Sequence, residues 1–296
     1  MSAQPHWPGD ASTVEQWLES LVHQEVGDYL GASERTRIEV TLHGDDLALL
    51  RIDGSNLTVH MNPEISAPLE DSAHTQESSE EPQLVASRTG TIQDLILQAQ
   101  PIYLDEVPLR AHLRMHNIPI VWDLYTLPLQ PAKPTSGREI RLNEEADPSR
   151  MRGSADISVK TSDLESVIQA MLTPAVADLG ATLRRMEVTV EQVDPQLVSL
   201  SAVIRFRRSF LRATVRIHAC VRISPEGLIA VEDLRVKSRN PLVALMLLFA
   251  RNSIRKIQEE SLDLNEELGL GSEGLPRVSD LRVRVDENIT LTARLL

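Results

Sequence analysis

Aromatic residues are scarce in this chain: three Trp, three Tyr and three Phe among 296 residues. Its core must therefore be built from Leu, Val, Ile and Ala, whose branched side chains suit pleated sheets and helix stripes. A single cysteine, Cys220, excludes a disulfide framework and a cysteine-based zinc site. The longest apolar run, Leu242–Ala250, would rise about 14 Å as a helix against roughly 30 Å of bilayer hydrocarbon. Basic charge is also short, with 30 Lys and Arg against 43 Asp and Glu for a net charge of −13. Phosphate neutralisation needs a basic footprint, so general nucleic-acid binding is excluded. The start, MSAQPHWPGDAST, shows neither the basic cluster nor the apolar run of a targeting peptide, and a cytoplasmic location is expected.

What is present is a foldable chain, 42% hydrophobic, with its charge divided unevenly. Residues 1–150 hold 24 acids against 10 bases, whereas residues 151–296 hold 19 against 20. Val14, Trp17, Leu18, Leu21, Val22 and Val26 recur at helical spacing and predict a helix over Thr13–Leu30, with Ser12 and Glu15 as a capping box. From Arg37 the period becomes two, and Asp53-Gly54 signals a hairpin between Leu47–Ile52 and Leu57–His60. Residues 64–85 form an acidic stretch expected to be a flexible loop; 64–82 alone contain six acids and no base. More strands are expected over Thr91–Trp122, followed by a Pro-rich connector at 128–153.

The second half has the same ingredients. Ser162 and Glu165 form another capping box, opening a helix expected over Thr161–Leu179. Four alternating segments, Leu183–Val193, Leu197–Arg207, Leu211–Ile223 and Leu228–Lys237, predict an antiparallel meander. Asn240 and Pro241 then open an apolar helix running to Ser261, and a strand pair, Val278–Val285 and Thr290–Leu296, closes the chain. These elements predict an α+β fold with long, highly curved antiparallel sheet around long helices. A single elongated domain is expected, made of two loosely similar halves, 1–127 and 154–296.

No catalytic constellation emerges. Gly269-Leu-Gly271-Ser-Glu-Gly274 matches a dinucleotide fingerprint in letters, but no strand precedes it and Leu275-Pro276 follows in place of a helix. His112 and His116 sit in strand sequence without a third metal ligand. Asp45-Asp46 and Glu144-Glu145 fall in turns. Cys220 lies on a strand face without an obvious His partner. No cofactor, metal or enzymatic activity is expected. The shaped charged feature is a hairpin whose polar face carries Arg205, Arg207, Arg212, Arg216 and Arg222, with Arg208 and Phe210 at its tip. Arginine stems can simply cover apolar neighbours, or the face can meet lipid headgroups or an acidic partner. The second use makes Arg205, Arg207, Arg208, Phe210 and Arg212 candidate membrane contacts.

The runs GSADISVKTSDLESVIQAML, EGLIAVEDLRVKSRNP and LRVRVDENITLTARLL, with RTGTIQDLILQAQPIYLDEVPLRAHLRMHNIPI more loosely, resemble the LmeA-like phospholipid-binding family of bacteria. That resemblance implies a TULIP-like architecture, a tubular lipid-binding fold with an apolar groove between curved sheet and helix, and cell-envelope lipid handling. Family members commonly carry a signal peptide or anchor; none is seen at the start of this chain, so a cytoplasmic protein, peripheral to the inner face of the membrane, is the expectation. The expected ligand is a phospholipid or similar amphiphile, bound without catalysis. Its chains would lie against Leu164, Ile168, Met171 and Leu172 of one helix and Leu245, Met246 and Phe249 of another. The competing expectation is an interaction module whose core is fully packed and holds no lipid.

Overall fold

The protein, in a computed structural model, is described over residues 7–26, 36–59, 83–104, 106–126, 137–178, 182–208, 211–240, 255, 261–270 and 275–296. By contacts the chain divides into two compact units, Met1–Tyr103 with Ala111–Gly153, and Leu104–Arg110 with Ser154–Leu296.

The first unit contains helix α1 (Ala11–Val26) and strands β1 (Arg37–His43), β2 (Asp46–Asp53), β3 (Thr58–Val59), β4 (Leu84–Leu104, its last residue belonging to the second unit), β5 (Val107–Tyr125, its first four residues likewise) and β6 (Arg138–Leu142). β1 and β2 form an antiparallel hairpin through the Gly44-Asp45 turn, β2 runs parallel to β4, and β6 pairs antiparallel with β5. Val14, Trp17 and Leu18 of α1 pack with Ile38, Val40, Leu47, Leu50, Ile92, Ile118, Ile120 and Trp122 of the strands. All three tryptophans of the chain meet here, Trp7 standing edge-on to Trp17 at 5.1 Å and to Trp122 at 5.3 Å between ring centroids. Beside them the buried Asp123 accepts hydrogen bonds from Ser87 Oγ at 2.6 Å and Arg141 Nε at 2.7 Å.

The second unit contains β7 (Arg152–Lys160, its first two residues belonging to the first unit), helix α2 (Leu164–Asp178), β8 (Thr182–Asp194), β9 (Leu197–Arg208), β10 (Leu211–Ile223), β11 (Leu228–Ser238), β12 (Ser261–Asp263), β13 (Arg282–Val285) and β14 (Asn288–Leu295). β8 to β12 form one antiparallel sheet in the order β12-β11-β10-β9-β8, so the expected meander is present. β13 and β14 form the expected closing hairpin. The Gln192 amide clips it to β8, donating to the Val283 carbonyl and accepting from the Val285 N–H, both at 3.0 Å.

The expected α+β fold with sheet wrapped around long helices is overturned. Among the described residues the structure is mostly β, and its helices are short: α1 has 16 residues, α2 has 15, and Leu264–Glu267 adds one turn. The physical reason lies in the strands. β4 runs 21 residues and β5 19, so much of the described chain is extended, and the buried apolar residues of the first unit's strands pack against the 16-residue α1. The helix expected over Pro241–Ser261 falls outside the described residues, apart from Arg255, which is helical, and Ser261, which begins β12.

Local expectations are corrected as well. α1 is capped by Asp10, whose Oδ1 accepts from the Thr13 N–H at 2.9 Å; Glu15 instead takes the Val40 N–H of β1 at 2.9 Å. A one-turn 3-10 segment, Thr161–Asp163, leads into α2, and the Ser162 hydroxyl bonds the neighbouring Asp163 carboxylate, so the second capping box is not formed. Asp53-Gly54 does not turn a hairpin: both edges of β2 are occupied by β1 and β4, and β3 pairs with β4 instead. Residues 64–82 of the acidic stretch lie outside the described residues, while Leu84 and Val85 begin β4. Within the stretch read as a connector, β6 and a 3-10 turn at Pro148–Arg150 are ordered elements.

Candidate functional site

The five-stranded sheet has two chemically distinct faces because side chains alternate along each strand. On one face, Ala202, Ile204, Ala213, Val215 and Ala219 are buried. Ile168 and Leu172 of α2 pack there against Met186, Ala202 and Ile204. The opposite face is built by register. Ser201 stands across from His218 on β9 and β10. On β10 and β11, Arg216 stands across from Lys237, His218 from Arg235 and Cys220 from Asp233. Directly opposed residues share a face, so these groups converge. Ser201, Val203, Arg216, His218, Arg235 and Lys237 line a shallow groove of about 300 Å³.

Several cations on this face already have a carboxylate partner. Arg185 and Arg205 both reach Glu187, at 3.1 and 3.6 Å, and Arg235 holds Asp233 at 2.7 Å. Arg222 grips Glu232 with two bonds, and its guanidinium holds the Glu232 carboxyl below the ordinary range. Arg216 and Lys237 differ: neither has an ion-pair partner among the described residues. Like charges directly opposed across strands repel, and an anion lying between them removes that cost. The His218 ring extends the polar floor, its Nδ1 3.1 Å from Ser201 Oγ and its Nε2 3.8 Å from Cys220 Sγ. Cys220 therefore does have a His neighbour, two residues earlier on the same face, which the sequence reading missed.

The candidates named from sequence are dispersed. Leu164 is half-buried at the start of α2, Ile168 and Leu172 serve the core, and the side chain of Met171 lies outside the described residues, as do Leu245, Met246 and Phe249. Of the hairpin candidates, Arg205 is paired to Glu187, Arg207 is exposed opposite Arg212, the side chains of Arg208 and Arg212 lie outside the described residues, and so does Phe210. The groove uses Arg216 from the same strand instead, with Lys237 and Arg235 from the next. Their alternation along Leu228–Lys237 was the available signal.

Among the described residues no group of three or more His, Cys, Asp or Glu could hold a metal ion, and no helix is long and apolar enough to cross a membrane. His116 Nδ1 lies 2.7 Å from Asp94 Oδ1, which Arg114 also contacts at 3.1 Å. Asp46 is engaged structurally, its carboxylate accepting from the Thr91 N–H at 2.7 Å. A scan against protein-family models finds no match, and comparisons with curated proteins and with solved structures return no significant match.

Proposed function

We propose that the protein is a non-catalytic binding protein that docks peripherally on anionic phospholipid, holding headgroup phosphate between Arg216 and Lys237. The observation that carries this reading is their opposition across β10 and β11 without a carboxylate among the described residues. Each Lys or Arg near an anionic lipid surface contributes about 1 kcal/mol. A local contact of this kind is compatible with a net charge of −13, since residues 151–296, which hold the groove, carry 20 bases against 19 acids. The resemblance to the LmeA-like family points to the same ligand class.

A lipid can be held by its chains or by its headgroup, and the observations favour the headgroup. Ile168 and Leu172, expected to line an acyl groove, are in contact with Met186, Ala202 and Ile204, and Met186 is fully buried. Flotation with vesicles tests the reading. Recovery is expected with vesicles containing phosphatidylglycerol, falling as salt rises from about 0.05 to about 0.5 M, with none on pure phosphatidylcholine. Equal recovery on both would favour chain capture, and none on either would favour the interaction module.

A further inference from the structure

The first unit carries a separate cleft, of about 690 Å³, that the lipid reading does not use. Small-molecule sites typically measure roughly 300–1,000 Å³ and are mostly apolar, whereas this one is walled by Thr91 and Gln93 of β4, Asn117 of β5, two carboxylates, Asp46 and Asp147, and two guanidinium groups, Arg150 and Arg152. We infer that it is a binding site for an anionic polyol, a sugar bearing a phosphate or carboxylate. Arg150 and Arg152 form no close ion pair among the described residues, although the Arg150 charge helps keep Asp147 ionised, and they supply the anion contact. Amide and hydroxyl groups both donate and accept, as sugar hydroxyls do, so Gln93, Asn117 and Thr91 match the polyol. Asp147, whose carboxyl is held below its ordinary range by hydrogen bonds from Ser149, supplies an ionised acceptor. Asn117 adds an independent sign. Inside a 19-residue strand it adopts φ +56°, a left-handed conformation, and its amide donates to the Arg150 carbonyl at 3.4 Å. Strain of that kind concentrates at binding sites.

Calorimetric titration of the full chain with glucose 6-phosphate, glucuronate, glucose and inorganic phosphate tests the site. Saturable binding of the two sugar anions at one per chain is expected, with glucose and phosphate each at least about tenfold weaker, because each lacks half of the contacts. Arg150→Ala should weaken binding about tenfold. Asn117→Gly keeps the backbone conformation but removes the amide with its long bond to the Arg150 carbonyl, so binding should weaken about fivefold with only a small fall in Tm. No binding by the wild type, phosphate binding as tightly as the sugar phosphate, or full binding by both variants would overturn the inference. The Arg216 and Lys237 groove is untouched by these variants, so vesicle binding should persist whichever way the titration falls.

Discussion

The indole Nε1–H of Trp122 donates to the backbone carbonyl of Asp45 at 2.8 Å, tying β5 to the turn between β1 and β2. Gly90 of β4 fits beneath that bond. A Cβ built at Gly90 would stand 2.1 Å from the Asp45 oxygen and 3.1 Å from Trp122 Nε1, closer than any real contact to backbone. Gly90→Ala must therefore push the turn away or break the bond, and a loss of about 2–3 kcal/mol is expected from overpacking and the lost hydrogen bond. Urea unfolding followed by Trp fluorescence measures it. A variant as stable as wild type would show that the turn yields freely.

Asp123 is 1% exposed, while the side chain of its partner Arg141 is 49% exposed. Removing the carboxylate costs two hydrogen bonds but leaves the exposed Ser87 hydroxyl and the guanidinium access to water, so the full cost of breaking a buried pair does not apply. Asp123→Ala should destabilise by about 2 kcal/mol, and Asp123→Asn, which keeps an acceptor, by less. Equal losses in the two variants by chemical denaturation would contradict this assignment.

The Asp53 carboxyl is held below its ordinary value, chiefly by hydrogen bonding from Ser55 and also by Gln98 and the Arg37 charge. A lowered folded-state pKa contributes stability above the unfolded value, about 3.9, that is lost as pH falls through the folded value. Asp53→Asn should therefore lower the urea midpoint clearly at pH 6 and little at about pH 3. A difference of the same size at both would show that the ionised form has no preferential partners.

The antiparallel meander was readable because nothing competes with it locally. Alternation runs through most of β8 to β11, interrupted only at bulges, and Pro225-Glu-Gly227 supplies the turn, with Gly227 at φ +95°. The Arg216–Lys237 opposition was not readable, because it depends on a bulge between Cys220 and Val221. Counting from the Ile223–Ile229 pair without that bulge would set Val236 opposite Arg216 and turn Lys237 to the apolar face. The parallel pairing of β2 with β4 was missed for a related reason: Leu47 and Ile92 are 45 positions apart, and local alternation carries no partner information. Ile168 and Leu172 were named correctly as an apolar stripe, but a stripe reads the same whether it faces lipid or Met186.

The account rests on two unneutralised cations, and vesicle flotation of paired variants tests it most directly. Arg216→Ala with Lys237→Ala removes the pair, while Arg222→Ala with Glu232→Ala removes a cation on the same face together with the carboxylate that neutralises it. At about 1 kcal/mol per cation, the first variant should lose roughly thirtyfold in partitioning onto phosphatidylglycerol vesicles, and the second should bind much as wild type does. Equal losses in the two variants, or undiminished binding by the first, would contradict a headgroup site between Arg216 and Lys237.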